Sequence, residues 1–373
     1  MSSNDGDMDD GTHRGVSKLL ARAAAADVRA DRRLAVAVDD FFLPDESRLD
    51  ERLRSALGGT LSALVAAVES AVRRHAARLL ATRGVPELSI ELETGDPVFS
   101  RLASAGLLRD VELMRELVGR ARQDVLAEAL PVDAPEDPDR ASLLARLIQH
   151  PDSVVAAAAM ALLAAESRRR GESEGLPTRT DLPAELHHRL VWWVAAALRE
   201  RFVALADETP NGALPALDRA LVEAATRSVS AHDEGDRLEA AAMRLAAALD
   251  ARADELPPLL VEAIADRRPA LFAALIAHAL GVDHGDAREI LLDPAADRLW
   301  LVLRALEVDR ASIARIGLAL SEADPRRDLD SFAEGLDDIA ATPATDARAA
   351  LAPLLLHPDY RAAMVALGRG GRA

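Results

Sequence analysis

The sequence contains no cysteine, only one lysine, Lys18, and few aromatic residues, 3% of the chain. Without cysteine the protein forms no disulfide and performs no thiolate chemistry, which is typical of proteins from a reducing compartment. Because aromatic side chains are scarce, a core must be built from Ala, Leu and Val, which requires closely packed helices. Apolar residues are abundant and make up half of the 373 residues. This length exceeds what one hydrophobic core usually supports, so we expect two lobes or a stacked array of repeats.

The charge balance is strongly acidic, with a formal net charge of −17 at pH 7. A field of this sign repels phosphate backbones, so we expect no nucleic-acid partner. The first 14 residues are acidic and lack the apolar region of a signal peptide. The longest apolar runs, Val154–Ala165 and Leu190–Leu198, are shorter than a bilayer span. The sequence therefore predicts a cytoplasmic protein without membrane insertion.

No segment shows a persistent alternation typical of strands, and Leu88–Glu93 (LSIELE) is the one short candidate. We therefore predict an all-α protein. Its expected parts are a disordered acidic tail over residues 1–14, an N-terminal helical lobe over 15–170, a polar linker over 171–180 and a C-terminal helical-repeat lobe over 181–373.

The stretch Leu143–Arg170 is typical of one helical hairpin. Pro151 is expected at the first position of the second helix, where its missing N–H costs nothing. Asp152 and the arginines at 168–170 complement the two ends of the helix dipole. The part between them, Val154–Ala165, is apolar all round, so we expect neighbouring helices to cover it on several sides.

Short helices and repeated helix starts are predicted along the rest of the chain. Glycines at 106 and 119 predict helices over Val98–Ala105, Asp110–Val118 and Arg120–Leu130. Further helix starts are predicted at Pro269, Pro294, Pro325, Pro343 and Pro358. The sequence LLLHPD at residues 354–359 repeats LIQHPD at residues 147–152. This self-similarity favours an irregular, α-solenoid-like array of HEAT-like helical hairpins.

Three segments carry a resemblance to a known family. They are DDFFLPDESRLDERLR at residues 39–54, LLARLIQHPDSVVAAAAMALLA at residues 143–164 and DLPAELHHRLVWWVAAAL at residues 181–198. The chain resembles the bacterial proteins grouped as domain of unknown function 2336, whose helices resemble HEAT-type repeats. The resemblance implies a helical-repeat fold over most of the chain after the acidic tail. It implies no chemistry, because the family has none established.

A set of histidines and aspartates raises the hypothesis of a metal-dependent phosphohydrolase. His187 or His188, together with His232, Asp233 and Asp250, contains the ligand types that such all-α enzymes use to bind divalent metal. However, adjacent helical histidines point about 100° apart, and HDEGD at residues 232–236 also fits a capped helix start in water. His150 and His357, each before Pro-Asp, are expected to bond a backbone group at a helix junction.

The tryptophan pair in the helix expected over residues 181–202 gives the other candidate site. Trp193 falls on the apolar stripe and is expected in the core, whereas Trp192 lies on its flank with His188 and Arg199. Such an aromatic and cationic patch suits a protein partner, although Trp192 packing against a neighbouring helix is the alternative. We therefore predict a non-enzymatic scaffold or adaptor without a cofactor, which binds another protein, with the metal-dependent hydrolase as the alternative function.

Overall fold

The computed structural model describes residues 49–131, 141–173, 180–205 and 213–370. Helices dominate these ranges and no strand occurs in them, which confirms the all-α class. The short strand candidate Leu88–Glu93 lies inside a helix, Pro86–Thr94. The expected disordered tail, residues 1–14, lies outside the described residues.

The α-helices of the first part of the described chain are α1 (Glu51–Thr82), α2 (Pro86–Thr94), α3 (Phe99–Ser104), α4 (Val111–Ala129), α5 (Leu143–Ile148), α6 (Ser153–Ser173), α7 (Ala184–Leu205) and α8 (Ala213–Ser230). They are followed by α9 (Leu238–Leu249), α10 (Leu256–Ala265), α11 (Pro269–Leu280), α12 (His284–Leu292), α13 (Asp297–Ala305), α14 (Arg310–Ala323), α15 (Leu329–Ala341), α16 (Ala344–Leu351) and α17 (Pro358–Gly370). Short 3₁₀ helices cover Leu107–Arg109, Glu234–Asp236 and Ala352–Leu355.

Helix α11 is the centre of the core. Every residue from Pro269 to Ala277 is buried, and the helix packs against α4, α9, α10 and α12. A helix that is apolar all round can be accommodated only where neighbours surround it. Among the described helices, the one that neighbours surround is therefore α11, in the second half of the chain.

The expectation that Val154–Ala165 is covered on several sides is wrong. In α6 only one stripe is buried, formed by Val155, Ala159, Leu162 and Ala165, while Val154 is 63% exposed and Met160 is 53% exposed. The helix packs on α5 and on α9. Alanine explains the error, because its small side chain is tolerated equally at the core and in water, so an alanine-rich helix does not reveal its exposed face.

The start of α6 also differs from the prediction. The helix begins at Ser153, and Pro151 precedes it. Asp152 forms the turn, because its carboxylate accepts from the Val154 N–H at 2.7 Å and its carbonyl accepts from the Ala156 N–H at 3.0 Å. His150 Nδ1 accepts from the Asp152 N–H at 3.1 Å, as expected for a histidine at a helix junction. His357 does the same with Asp359 at 3.3 Å before α17.

The predicted break at Gly119 is wrong, since α4 continues through it. A Cβ atom at this position would lie 3.0 Å from the guanidinium of Arg288, which crosses the helix here to reach Glu116. Gly119 thus allows the Arg288 side chain to pass close to α4 and ends no helix. Among the predicted proline starts, Pro269 and Pro358 open α11 and α17 and Pro343 directly precedes α16, whereas Pro294 and Pro325 lie in the turns before α13 and α15.

Helices from both sides of the predicted linker pack together, α6 on α9 and α4 on α12. Residues 52–373 form one compact unit, so the structure does not confirm a separation into two lobes at residues 171–180. Among the described helices, α1 is long and apolar enough to cross a membrane by length and composition, a criterion that core helices of soluble proteins also meet. The cytoplasmic location stays a prediction.

Candidate functional site

A cleft of about 800 Å³ opens between α1, the end of α6, the start of α7 and α8. We call it the cationic cleft, because its lining includes four arginines. These are Arg74, Arg78, Arg168 and Arg227, and three histidines also line it, His75, His187 and His232. Alanines of α1 and α8 form much of the remaining surface, and Glu93 and Asp236 are the acidic residues among the described lining. A cationic cleft of this size is notable in a chain with a net charge of −17.

One wall of the cationic cleft is a face of α1. Arg74 and Arg78 are one helical turn apart, so both side chains lie on this face. Each guanidinium donates its Nε–H to a carbonyl of its own helix at 3.2 Å, Arg74 to Ser70 and Arg78 to Arg74. These bonds orient the two guanidiniums and leave their terminal Nη groups without a partner in the described chain.

Arg227 of α8 lines the opposite wall and also lacks an ion pair with any described residue. Some exposed arginines elsewhere are paired between helices, as Arg101 is with Glu200 and Arg83 with Glu223. His75 lies between the cations. Burial is the main cause that lowers its pKa, and the positive charges of Arg227 and Arg78 add to the effect.

The floor of the cleft is a pair of stacked imidazoles. The His187 and His232 ring centroids are 4.1 Å apart with an interplanar angle of 13°. His187 Nε2–H donates to the Ser228 carbonyl at 3.4 Å, which leaves Nδ1 to accept from the Thr180 hydroxyl at 2.6 Å. His232 Nε2–H donates to the Leu182 carbonyl at 2.9 Å. The stack thereby joins the start of α7 to the end of α8.

His187 is neutral at physiological pH. Burial lowers its pKa most, and the neighbouring His232 lowers it further, to about 4. Both ring nitrogens already have partners, so this imidazole has no lone pair directed into the cleft. Its role is therefore structural, in that it holds Thr180 and α8 in place at the bottom of the cleft.

Beside this floor lies a buried cluster of charges. Arg169 is 6% exposed and lies 3.2 Å from Asp124, 3.3 Å from Glu239 and 3.6 Å from Asp181. Glu116 extends the cluster, since its carboxylate lies 2.8 Å from Arg288 and 3.2 Å from Arg237. The cluster joins α4, α6, α9 and α12 to the segment before α7.

Two carboxylates of this cluster are affected in opposite directions. Burial and the charge of Glu239 raise the pKa of Asp181 to about 6. Burial opposes ionisation of Glu239 as well, but Arg169, Arg237 and other nearby cations outweigh it and lower its pKa to about 2. Asp181 also caps α9 from a distance, because its Oδ1 accepts from the Leu238 N–H at 3.1 Å. The sequence gives no signal for this cap, which joins residues 57 positions apart.

The structure brings together two of the proposed metal-binding residues. His187, and not His188, meets His232. Asp233 instead accepts from the Gly235 N–H at 2.9 Å and caps the 3₁₀ helix that follows. Asp250 ends α9 and lies 3.1 Å from His278. In the described part of the chain, no three His, Asp or Glu side chains are arranged to hold a metal ion.

The predicted interaction patch on α7 is partly assembled. The rings of His188 and Trp192 lie 6.2 Å apart, with His188 exposed and Trp192 partly exposed. Arg199 is bound elsewhere, since its guanidinium lies 2.6 Å from Asp218 of α8. Trp193 is only partly buried, so its expected place in the core is wrong. A role for this patch in binding stays a prediction.

Comparison with known proteins gives one finding. The model of a family described as an uncharacterised protein conserved in bacteria, domain of unknown function 2336, matches residues 132–352. The chain belongs to this family. No curated protein and no solved structure matches the chain.

The range matched by domain of unknown function 2336 covers part of the cationic cleft. Arg168, His187, Arg227 and His232 lie inside it, while α1 with Arg74, His75 and Arg78 precedes it. The first of the three resembling segments, residues 39–54, also precedes it. The cleft is thus formed by residues of the family region together with α1, which precedes that region in the sequence.

Proposed function

We propose that this member of the family is a non-enzymatic adaptor that binds an acidic segment of another protein in the cationic cleft. One observation carries the proposal: Arg74, Arg78 and Arg227 line an open cleft of about 800 Å³ without a carboxylate partner among the described residues. Cavities of roughly 300–1,000 Å³ are the usual size for recognition of a small group. The cleft therefore suits a few side chains of a partner better than a whole folded surface.

Charge complementarity selects the occupant. The chain as a whole is acidic. An acidic segment of a partner is therefore attracted by the cleft and repelled by the rest of the protein surface. The alanine side chains Ala67 and Ala71 of α1 line the same cleft and are accessible to solvent. They offer an apolar surface on which the uncharged part of such a segment can pack.

The metal-dependent hydrolase has less support. The two ring nitrogens of His187 are hydrogen-bonded, Nδ1 to Thr180 and Nε2 to Ser228. The Asp233 carboxylate accepts from the backbone N–H of Gly235. A hydrolytic metal site needs several ligands directed at one point. Binding of an acidic segment, by contrast, requires no rearrangement of the arginines.

We extend the proposal to the architecture, as a HEAT-like array of helical hairpins. Consecutive helices pack as pairs, α7 with α8, α11 with α12 and α14 with α15. In such arrays each hairpin contacts its neighbours, and binding surfaces form along the stacked helices. The α7–α8 hairpin supplies one wall of the cleft.

The test uses the full chain and a fluorescein-labelled peptide of glutamate, alanine and leucine, with the glutamine version of that peptide as reference. We expect the glutamate peptide to bind at least about tenfold more tightly, with an affinity that falls as salt is raised. Replacing Arg74→Glu and Arg227→Glu together should abolish this preference. Both residues are exposed, so the melting temperature should change little.

The matched control is the double variant Arg219→Glu and Arg315→Glu. These arginines are also exposed and lie outside the cleft, and the change in net charge is the same. The control should retain the preference for glutamate. Equal binding of the glutamate peptide by the parent and the cleft variant would overturn the proposed function.

A further inference from the structure

The two arginines of α1 are oriented to receive an anion. Their Nε–H groups are bonded to carbonyls one turn back, at 3.2 Å in each case. A guanidinium held in this way has lost part of its rotamer freedom before any ligand arrives. Its terminal Nη groups are the remaining donors, and they have no acceptor in the described chain.

Positive charge is concentrated around His75. Arg227 and Arg78 act on its imidazole from the two walls of the cleft, and Glu223, which is paired with Arg83, opposes them to a smaller extent. The Nδ1 atom of this imidazole is buried and has no hydrogen-bond partner among the described residues. Glu93 is exposed, and the Asp236 carboxylate lies 4.0 Å from the Arg168 guanidinium, which also donates to the Asp236 backbone carbonyl at 2.8 Å. A single group with two negative charges between the walls would offset the repulsion among these arginines.

We propose that the cationic cleft recognises a phosphorylated side chain, with Arg74, Arg78 and Arg227 binding its phosphoryl oxygens. The proposal rests on the proposed function and names the chemistry of the acidic segment. A phosphorylated side chain carries about −1.5 to −2 charges near pH 7 and presents three strong acceptor oxygens. Three guanidiniums from two helices match three oxygens, whereas one carboxylate offers only two oxygens and one charge.

Arginine is the suitable residue for this task. Its planar fork forms paired hydrogen bonds with phosphate oxygens and stays charged at every physiological pH. Ala71, an exposed residue one turn before Arg74 and His75 on α1, leaves room for the phosphoryl group to approach the helix wall.

The phosphoryl group is expected on a polypeptide. Nucleic acid and anionic membranes carry long arrays of negative charge, which the net charge of −17 repels outside the cleft. A peptide with one phosphorylated residue places its charge only where the cleft is positive. It also fits a volume of about 800 Å³.

The experiment compares three labelled peptides that differ at one position, phosphoserine, glutamate or serine, by fluorescence anisotropy with the full chain. We expect the phosphoserine peptide to bind at least about tenfold more tightly than the glutamate peptide, because of its additional charge and third oxygen. Arg227→Ala and Arg74→Ala should each reduce this ratio at least about fivefold. Arg219→Ala, on the same helix as Arg227 but outside the cleft, should not.

A second readout is the imidazole of His75, followed by NMR. Phosphopeptide binding neutralises the neighbouring arginines, so the pKa of His75 should rise, and the serine peptide should leave it unchanged. If the phosphoserine and glutamate peptides bind equally while both depend on the arginines, the phosphate assignment is wrong and the adaptor proposal stands. If neither peptide binds, both proposals fail.

Two competitors complete the design. Inorganic phosphate at millimolar concentration should displace the phosphopeptide only weakly, because it lacks the flanking residues that contact the alanines. Displacement at equal concentration would assign the cleft to the free ion and overturn the peptide assignment. Tighter binding of a single-stranded DNA oligonucleotide than of the phosphopeptide would likewise overturn it.

Discussion

His187 and His232 stack face to face, with ring centroids 4.1 Å apart and an angle of 13° between their planes. The contact joins the first turn of α7 to the turn that follows α8. It also places a buried neutral imidazole at the floor of the cationic cleft, which makes the stability of this region sensitive to pH.

The free energy of unfolding should fall as the pH is lowered from about 6.5 to about 4. The unfolded chain protonates His187 near its ordinary pKa of 6.5, whereas burial and His232 hold the folded pKa at about 4. The folded state therefore loses up to about 3 kcal/mol of stability over this window. Urea unfolding at several pH values measures the slope.

The variant His187→Gln isolates this effect. Asp181 acts in the opposite direction, because its folded pKa of about 6 adds stability as the pH falls toward 3.8. We therefore compare the slope of the variant with that of the parent. The variant should lose less stability across the window, even if its stability at pH 7 is lower. Identical slopes would contradict the assignment to His187.

Gly317→Ala should destabilise the protein. A Cβ atom at Gly317 would overlap the Phe332 ring, which itself stacks on Trp300 with ring centroids 4.7 Å apart. Displacing a packed aromatic ring costs about 1–3 kcal/mol. The control is Gly335→Ala, a helical glycine with nothing within 4 Å of the new atom. It should be neutral or stabilising by about 0.5–1 kcal/mol, and chemical denaturation distinguishes the two.

Ala159→Asp and Ala157→Asp test the one-sided burial of α6. Ala159 is fully buried against the core, so an aspartate there must be desolvated or protonated, at a cost of several kcal/mol. Ala157 is exposed and should accept the same residue at about 1 kcal/mol or less. Thermal melting followed by circular dichroism measures both. Similar losses for the two variants would mean that α6 is covered on both faces.

Arg169→Ala should be among the most damaging changes in the protein. The change removes the cation that both Glu239 and Asp181 contact and leaves the two carboxylates buried. Removing one partner of a buried ion pair usually costs about 3–5 kcal/mol. Arg170 is exposed and follows directly in the chain, so Arg170→Ala should change stability by about 0.5 kcal/mol or less. A mild Arg169→Ala variant would show that solvent reaches the cluster.

Much of the local structure could be predicted from the sequence. The scarcity of aromatics and the helical spacing of Leu, Val and Ala determine an all-α protein. The bonds of His150 and His357 to backbone groups at the helix junctions were predicted correctly, because each depends on neighbours in the chain. Family membership was also predictable, since the segments that carry it are contiguous.

The candidate site could be predicted only in part. His187, His188 and His232 were singled out, but the sequence does not say which of two adjacent histidines turns toward the third. The arginines of the cleft gave no signal, because an exposed arginine on a helix is ordinary. Only the folded chain shows that Arg74 and Arg227 line one cleft without carboxylate partners.

The sequence by itself determined the helices, many of their junctions and the acidic charge, because these depend on residues within a few positions of one another. Tertiary structure alone decided which alanine-rich helix is surrounded, α11 and not α6, since alanine is compatible with core and solvent alike. It also decided that Arg169 is buried, although Arg170 beside it is exposed. The physical reason is that burial and charge pairing depend on residues far apart in the chain, as when Asp181 caps α9 from 57 positions away.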